Sequence, residues 1–268
     1  MILPYRKLIK PPVGQRSYKG HRLCPKSGLW LMNEGSGSIV QDLSGNGNHG
    51  IITGTVPWVA GKGGPALQFP NTAGNYVSTS ASSVFNNTAC SIVLWMKTTE
   101  AATYEGLVHI YIDGNNNAYV AIFHGDDDIQ VTVRSDGGDR GTFTDDVPVD
   151  DNIWHQVVLT FGSGQTTKIY RDGIFKAEGG NSGAIAWVGN PTVYIGTDAA
   201  NAYPCPAAID SVLIYNRALS ASEIAQLNRE PFCMFDRDEI VLWQSGGVPP
   251  VGNAGIMTCN TGFWGATY

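Results

Sequence analysis

The sequence predicts an all-β protein, a sandwich or barrel of many short strands, and three observations carry that prediction. Charged residues make up only 15% of the 268 positions while glycine is abundant at 33; an ordinary soluble domain carries roughly 25% charge. Apolar, β-branched and aromatic clusters recur with Gly, Asn, Asp and Pro between them. The 7 Trp, 11 Tyr and 9 Phe are spread along the whole chain. Short strands closed by turn residues produce this pattern, and a helical protein does not. The length fits one large β domain or two ordinary ones and is enough to bury a substantial core.

Taken in order, residues 1–27 form a basic N-terminal arm. Seven of the 17 basic residues (Arg6, Lys7, Lys10, Arg16, Lys19, Arg22, Lys26) lie there, and no acid precedes Glu34. The remainder holds 10 basic and 23 acidic residues, a balance of −13 behind an overall −6. A basic arm ahead of an acidic body points to assembly. The next region, 28–230, carries the strand clusters, from GLWLMN through PALQF, NYVSTS, CSIVLWMKT, GLVHIYI, AYVAIFH, DIQVTVR, IWHQVVLTF, TKIYRDG and TVYIGT to AAIDSVLIYN. In DIQVTVR, Ile129, Val131 and Val133 alternate with Gln130, Thr132 and Arg134, the period of a half-buried strand. Other clusters are apolar on both faces. RDG at 171–173 marks a hairpin turn in which Gly173 supplies the positive φ.

One helix is predicted. In ALSASEIAQLNREP, Ser220 and Glu223 form a capping box, Ile224 and Leu227 give one apolar face, and Pro231 ends the element. It is short, so tertiary packing must hold it. From 231 to 268 the character changes to a Gly-rich, aromatic extension. Its stretch from Ile240 to Tyr268 has no charged side chain but contains Trp243, Phe263, Trp264 and Tyr268. A disordered tail lacks such aromatics, so this one is expected to lie against its own sandwich or a neighbouring subunit.

No apolar run approaches the ~18 residues of a membrane span. The first twenty residues carry scattered charges and prolines, which is not a secretory signal. The expectation is a chain made in a cytoplasm that reaches a virion or an extracellular surface assembly without its own export signal. Cys24, Cys90, Cys205, Cys233 and Cys259 form no C-x-x-C pair and no zinc framework, and read as small buried or free thiols.

The stretch DLSGNGNHG, Asp42 to Gly50, sets Asp42, Ser44, Asn46 and Asn48 at alternate positions. The twelfth position is Thr53 rather than the bidentate Glu of an EF-hand, and no helices flank it. Two readings remain, a glycine-supported turn whose Asx side chains bond local backbone and a cation seat. His49 reads as a structural hydrogen-bonding residue, since a hard cation has little use for imidazole. Nine aspartates lie within residues 126–151 (Asp126, Asp127, Asp128, Asp136, Asp139, Asp145, Asp146, Asp150, Asp151) and read as solubilising hairpin tips. Collecting divalent ions or docking a neighbour's basic arm are their other uses. Trp58, Tyr104, Trp187 and Tyr203 fall in predicted loops, where an exposed ring stacks on a sugar face.

GLWLMNEGSGSIVQDLSGNGNHGIITG, GPALQF, YVSTS, SIVLWMK, WHQVVLTF, TKIYRDG and AAIDSVLIYNRALSASEIAQL, in that order from Gly28 to Leu227, resemble the concanavalin A-like, laminin-G-type jelly-roll modules. The resemblance implies a two-sheet antiparallel β-sandwich whose first and last strands lie side by side. It implies a core role for Trp154, with His155 beside it. It also implies a weak Ca²⁺ site where the first loop meets the last strand, with Asp42, Asn46, Asn48 and Asp210 as ligands. GTDAANAYPCP (196–206) precedes the last strand, and Asp198, Asn201 and Tyr203 are its ligand-binding candidates. Related hydrolases carry their carboxylates in an E-x-D-x-x-E strand, and none of the seven Glu here falls in that spacing. No G-x-S-x-G, HExxH or phosphate-binding loop occurs. The expected protein is a non-catalytic, lectin-like module displayed on a larger particle such as a virion decoration or tail component. Its terminal arms would contact identical or other structural subunits, and glycans would be its ligands. The alternative is a purely structural self-assembling subunit. Nucleic acid is not expected as a partner, because the acidic body repels phosphate.

Overall fold

Alternation sorts the long strands' residues onto two faces, and the two faces decide the architecture. The computed structural model describes residues 8–15, 17–100, 105–123, 128–180 and 183–235. The uncharged extension 240–268 (Cys259 included), Tyr104, Asp126, Asp127, Arg6, Lys7 and Arg16 lie outside the described residues. The first eight strands are β1 (Gly28–Trp30), β2 (Ile39–Val40), β3 (Gly50–Thr53), β4 (Trp58–Ala60), β5 (Pro65–Gln68), β6 (Tyr76–Ser78), β7 (Ala89–Lys97) and β8 (Glu105–Asp113). The next eight are β9 (Asn116–Phe123), β10 (Asp128–Ser135), β11 (Gly138–Thr144), β12 (His155–Gly162), β13 (Thr167–Arg171), β14 (Ile174–Gly179), β15 (Thr192–Ile195) and β16 (Ala208–Tyr215).

They form two antiparallel sheets. The first runs β14-β13-β12-β7-β16-β5-β4, with β1 also paired to β16, and the second runs β11-β10-β9-β8-β15-β6-β3-β2. β1 meets β16 in the register Gly28↔Ile214, Leu29↔Leu213 and Trp30↔Val212, so the first and last strands are neighbours. Between the sheets lies the main core. Ile92, Leu94, Met96, Val157, Leu159, Val212 and Ile214 of one sheet face Val108, Ile110, Ile129, Val131, Val133, Val193 and Ile195 of the other. Burial of each such side chain contributes about 1.5–3 kcal/mol.

The intervening residues of the first sheet are apolar too, which explains the clusters that read as greasy on both faces. Val93, Val158, Tyr170, Leu213 and Tyr215 point outward into a second apolar cluster. Its cover comes from Leu23 and Cys24, from the helix α1 (Ala221–Arg229) through Ile224 and Leu227, and from Phe232 and Met234. The capping box of α1 is reciprocal: Glu223 N donates to Ser220 Oγ at 3.3 Å, and Ser220 N to Glu223 Oε2 at 2.9 Å. Paired Arg217 donors hold the Glu223 carboxyl down at about 2.

The predicted basic arm differs from expectation. Over its described residues it is a strap laid on its own sandwich, not an extension reaching away. Lys10 N donates to Gly63 O at 2.9 Å, Tyr18 N to Met234 O at 2.8 Å, and Tyr215 Oη to Leu23 O at 2.8 Å. The reason is composition: the strap's Leu23 and Cys24 bury among the outer residues of the first sheet, and Lys10 finds a carboxylate within the same chain. Three aromatic expectations also change. Trp58, read as a loop ring, lies in β4, packs against the main core and donates through Nε1 to Gly37 O at 3.1 Å. Trp187, read as a loop ring, is 6% exposed, packs on Phe161 at 5.5 Å and donates to Arg134 O at 2.7 Å. Trp154, expected in the core, is half-buried at the mouth of β12 beneath Lys97.

Candidate functional site

In β6, β8 and β15 the core residues Val77, Val108, Ile110, Val193 and Ile195 alternate with Tyr76, His109, Tyr111 and Tyr194, which therefore stand on the outer face of the second sheet. Strand pairing sets them side by side. Tyr194 is opposite Ser78 on one flank and His109 on the other, and Ser78 is opposite Ile51. Tyr76 and Tyr194 have ring centroids 6.1 Å apart, and His109 meets the edge of Tyr111 at 5.1 Å. The three tyrosines are half-buried, with their rings held by the sheet.

The electrostatics keep this face neutral. Burial pulls the His109 imidazole down to about 4, against the pull of the Asp198 charge. Its Nδ1 accepts from Ala199 N at 3.0 Å, so the ring proton sits on Nε2. Burial, then the neighbouring Tyr76 and Tyr111 phenols, raise Tyr194 above its ordinary value. Three half-buried phenols thus offer hydroxyl donors and acceptors beside aromatic surface, with His109 buried alongside them, the chemistry that stacks on and hydrogen-bonds a polyhydroxylated ring.

The loop 196–205 borders this face. Gly196 turns it with φ +84°, Cys205 N donates back to Gly196 O at 3.1 Å, and Gly106 N of β8 donates to Tyr203 O at 2.9 Å. The Asp198 carboxylate accepts from the backbone N–H of Ala200, Ala202 and Tyr203 at 3.2, 2.7 and 3.1 Å. Asn201, at φ +53°, accepts from Gly74 N through Oδ1 at 2.9 Å. Of the three ligand candidates, Asp198 and Asn201 therefore shape the loop, and Tyr203 is the one with an open ring, 44% exposed.

The four proposed Ca²⁺ ligands divide into two groups. Asp42 Oδ1 accepts from Leu29 N and Ser44 N at 3.2 and 2.9 Å, and Oδ2 accepts from Asn48 N at 3.0 Å. Asn46 donates through Nδ2 to Lys26 O and Ser27 O, and Asn48 O accepts from Trp30 Nε1 at 2.9 Å. Asp42 N donates to His49 Nδ1 at 3.0 Å. Gly45 and Gly47, at φ +91° and +76°, bend the turn. Asp210 instead faces Lys10 Nζ at 3.0 Å and Lys62 N at 2.8 Å. No group of three or more His, Cys, Asp or Glu side chains that could hold a metal occurs among the described residues.

Tyr76, His109, Tyr111 and Tyr194 are not among the residues the sequence predicts for a site. The signal was present as period-two alternation in NYVSTS, LVHIYI and TVYIGT.

Comparison with known proteins identifies the fold. The laminin-G model of the concanavalin A-like lectin/glucanases superfamily matches residues 71–225, and the chain belongs to that superfamily. Its fold is a lectin-like jelly roll. Among solved structures, domain 4 of AbnA, a GH43 extracellular arabinanase from Geobacillus stearothermophilus in complex with arabinotriose, superposes with a TM-score of 0.61 at 19% identity, covering 76% of this chain and 98% of that one. The binding domain of Paraclostridial Mosquitocidal Protein 1 gives 0.61 at 16% identity, covering 76% and 52%. Trypanosoma rangeli sialidase in complex with the inhibitor DANA gives 0.56 at 18%, covering 77% and 33%. At these identities the likeness is one of fold; the chain spans about half of the toxin binding domain and a third of the sialidase. No curated protein matches the sequence.

Proposed function

We propose that this chain is a non-catalytic carbohydrate-binding module that takes a neutral glycan on the outer face of the second sheet. The observation that carries the reading is the Tyr76–Tyr194–His109–Tyr111 row, with aromatic rings and phenol hydroxyls held side by side on rigid strands. Structural relatives solved with sugars or described as binding domains support it. The absence of an E-x-D-x-x-E strand supports binding without hydrolysis. The test is a glycan array probed with the full chain, followed by calorimetry on Tyr194→Ala and Tyr76→Ala. Each variant loses about tenfold or more in affinity for the sugar that binds. An array with no bound glycan, or Tyr variants that bind as the parent does, overturns the reading.

Display on a larger particle, such as a virion decoration, is the second part of the proposal. It is favoured by exposed Leu8, Ile9 and Val13 on the strap beside a cavity of about 390 Å³ lined by Ile9, Lys10, Pro11, Pro12, Gln15, Phe232 and Phe235. Exposed apolar groups gathered around a cavity mark a contact surface. Ile9→Asp abolishes co-assembly with structural subunits while leaving glycan binding intact; co-assembly retained in that variant rejects this part alone.

A further inference from the structure

Lys10 is an unusual residue to find in the interior. Its side chain is 2% exposed and that of Asp210 1%. Its ammonium donates to Asp210 O at 2.8 Å, to Met32 O at 3.4 Å and to Pro65 O, and stands 3.0 Å from Asp210 Oδ1. Four oxygens from three separated segments (the residues just past β1, the start of β5 and the first part of β16) thus surround one positive charge. Burial pulls the Lys10 ammonium below its ordinary value, against the attraction of Asp210 and Glu34.

The surroundings are cut to this arrangement. A Cβ on Gly61 would meet Asp210 Oδ1 at 2.2 Å, and one on Gly64 would meet Lys10 Cδ at 3.1 Å. Asp210 is the extra residue of a bulge in β16, where the register against β7 shifts between Ile209 and Ser211. A bulge re-aims a side chain, and here Asp210 presents both its carbonyl and its carboxylate to the same ammonium. Its second oxygen, Oδ2, is buried and makes no hydrogen bond.

One carboxylate and three carbonyl oxygens make a donor set for a hard cation. The Ca²⁺ site implied by the resemblance would join Asp210 to Asp42, Asn46 and Asn48. That set does not fit: the Asp42 oxygens are taken by three backbone N–H groups and Asp210 by Lys10. We infer that Lys10 is a tethered cation. The strap inserts its own ammonium into an oxygen cage at Asp210, and that cage accepts a hard divalent cation only once the ammonium is gone.

The test uses the full chain as wild type, Asp210→Asn, Lys10→Met and Lys10→Met/Asp210→Asn. Each is melted in EDTA and in millimolar calcium, and calcium binding is followed by calorimetry. Wild type shows no Asp210-dependent calcium binding and the same melting temperature in both buffers. Lys10→Met melts lower in EDTA, binds one calcium, and gains about 3–6 °C at tenfold excess over its Kd. The double variant loses that gain. A Lys10→Met chain that is unfolded in EDTA but folded in calcium supports the inference equally. Three results overturn it: wild type that binds calcium and loses it on Asp210→Asn, a folded Lys10→Met that gains nothing from calcium, or a Lys10→Met that stays unfolded in both buffers.

Discussion

His155 Nδ1 lies 2.7 Å from Asp172 Oδ2, while its Nε2 lies 3.2 Å from both oxygens of Asp151. The imidazole at the mouth of β12 is thus gripped by the β13–β14 turn on one side and by the preceding loop on the other. The hydrogen bond to Asp172, with Asp151 assisting, raises His155 above its ordinary value. A group raised in the folded state stabilises fully below its unfolded value, roughly 6.5, and that stability is lost as pH rises through the folded value. His109 runs the other way. Depressed to about 4 by burial, it withholds a proton that the unfolded chain accepts, so stability falls as pH drops from about 6.5 to 4. Proton NMR of the ring Hε1 signals gives a midpoint above 6.5 for His155 and near 4 for His109. In His155→Asn, the decline in denaturation midpoint above pH 6.5 flattens. Coincident midpoints near 6.5 reject both assignments.

Arg171 and Asp145 fix the loop that follows β11. Arg171 Nε donates to Asp145 Oδ2 at 2.8 Å, and its remaining nitrogens donate to Pro148 O at 2.7 Å and to Val147 O. Side chains are 3% and 0% exposed. Arg171→Met strands a buried carboxylate and costs about 3–5 kcal/mol by chemical denaturation. Asp145→Asn in addition to Arg171→Met recovers part of that loss, so the two changes are non-additive. Additive losses count against direct coupling.

Gly196 anchors the loop that carries Tyr203. Its φ is +84°, and a Cβ there would meet Phe69 Cδ1 at 2.1 Å, a ring at 0% exposure in the core. Gly196→Ala combines a strained backbone with overpacking and destabilises by about 2 kcal/mol or more. A thermal melt unchanged by the substitution contradicts the close approach.

Ser220→Ala removes the acceptor of Glu223 N and the hydroxyl that donates to Glu223 Oε2. The expected loss is about 1 kcal/mol. Hydrogen exchange over residues 221–229 speeds up while the strands keep their protection. Exchange that speeds up equally in β7 and β12 shows instead that the helix and the sandwich open together.

Local pattern made much of this legible. The capping box at Ser220, the RDG hairpin and the inward set Ile129, Val131 and Val133 of DIQVTVR each depend on neighbours in sequence and stand as read, whereas Gln130 and Thr132 on its other face are buried too, so that strand is not half-buried. What depends on remote pairing did not show. The tyrosine row needs β6 beside β15 beside β8, and no short window contains that. Lys10 and Asp210 are 200 positions apart, and one Lys among the seven basic residues of the first 27 reads as part of an arm that reaches a neighbour. Trp187 sits in a stretch of Gly, Ala and Pro that reads as loop, yet its indole is drawn down onto Phe161 by tertiary packing. Asp198 and Asn201 were picked for their oxygens, and those oxygens turned out to face backbone amides.

The second apolar cluster has a geometric corollary. Ile9 and Phe235 line one cavity, and Tyr18 N bonds to Met234 O, so the chain enters and leaves the described structure on the same side, behind the first sheet. The tyrosine row stands on the opposite wall, with the full thickness of two sheets between them. Residues 8 and 235, the outermost described positions, therefore both stand behind the first sheet, and the aromatic row faces the other way.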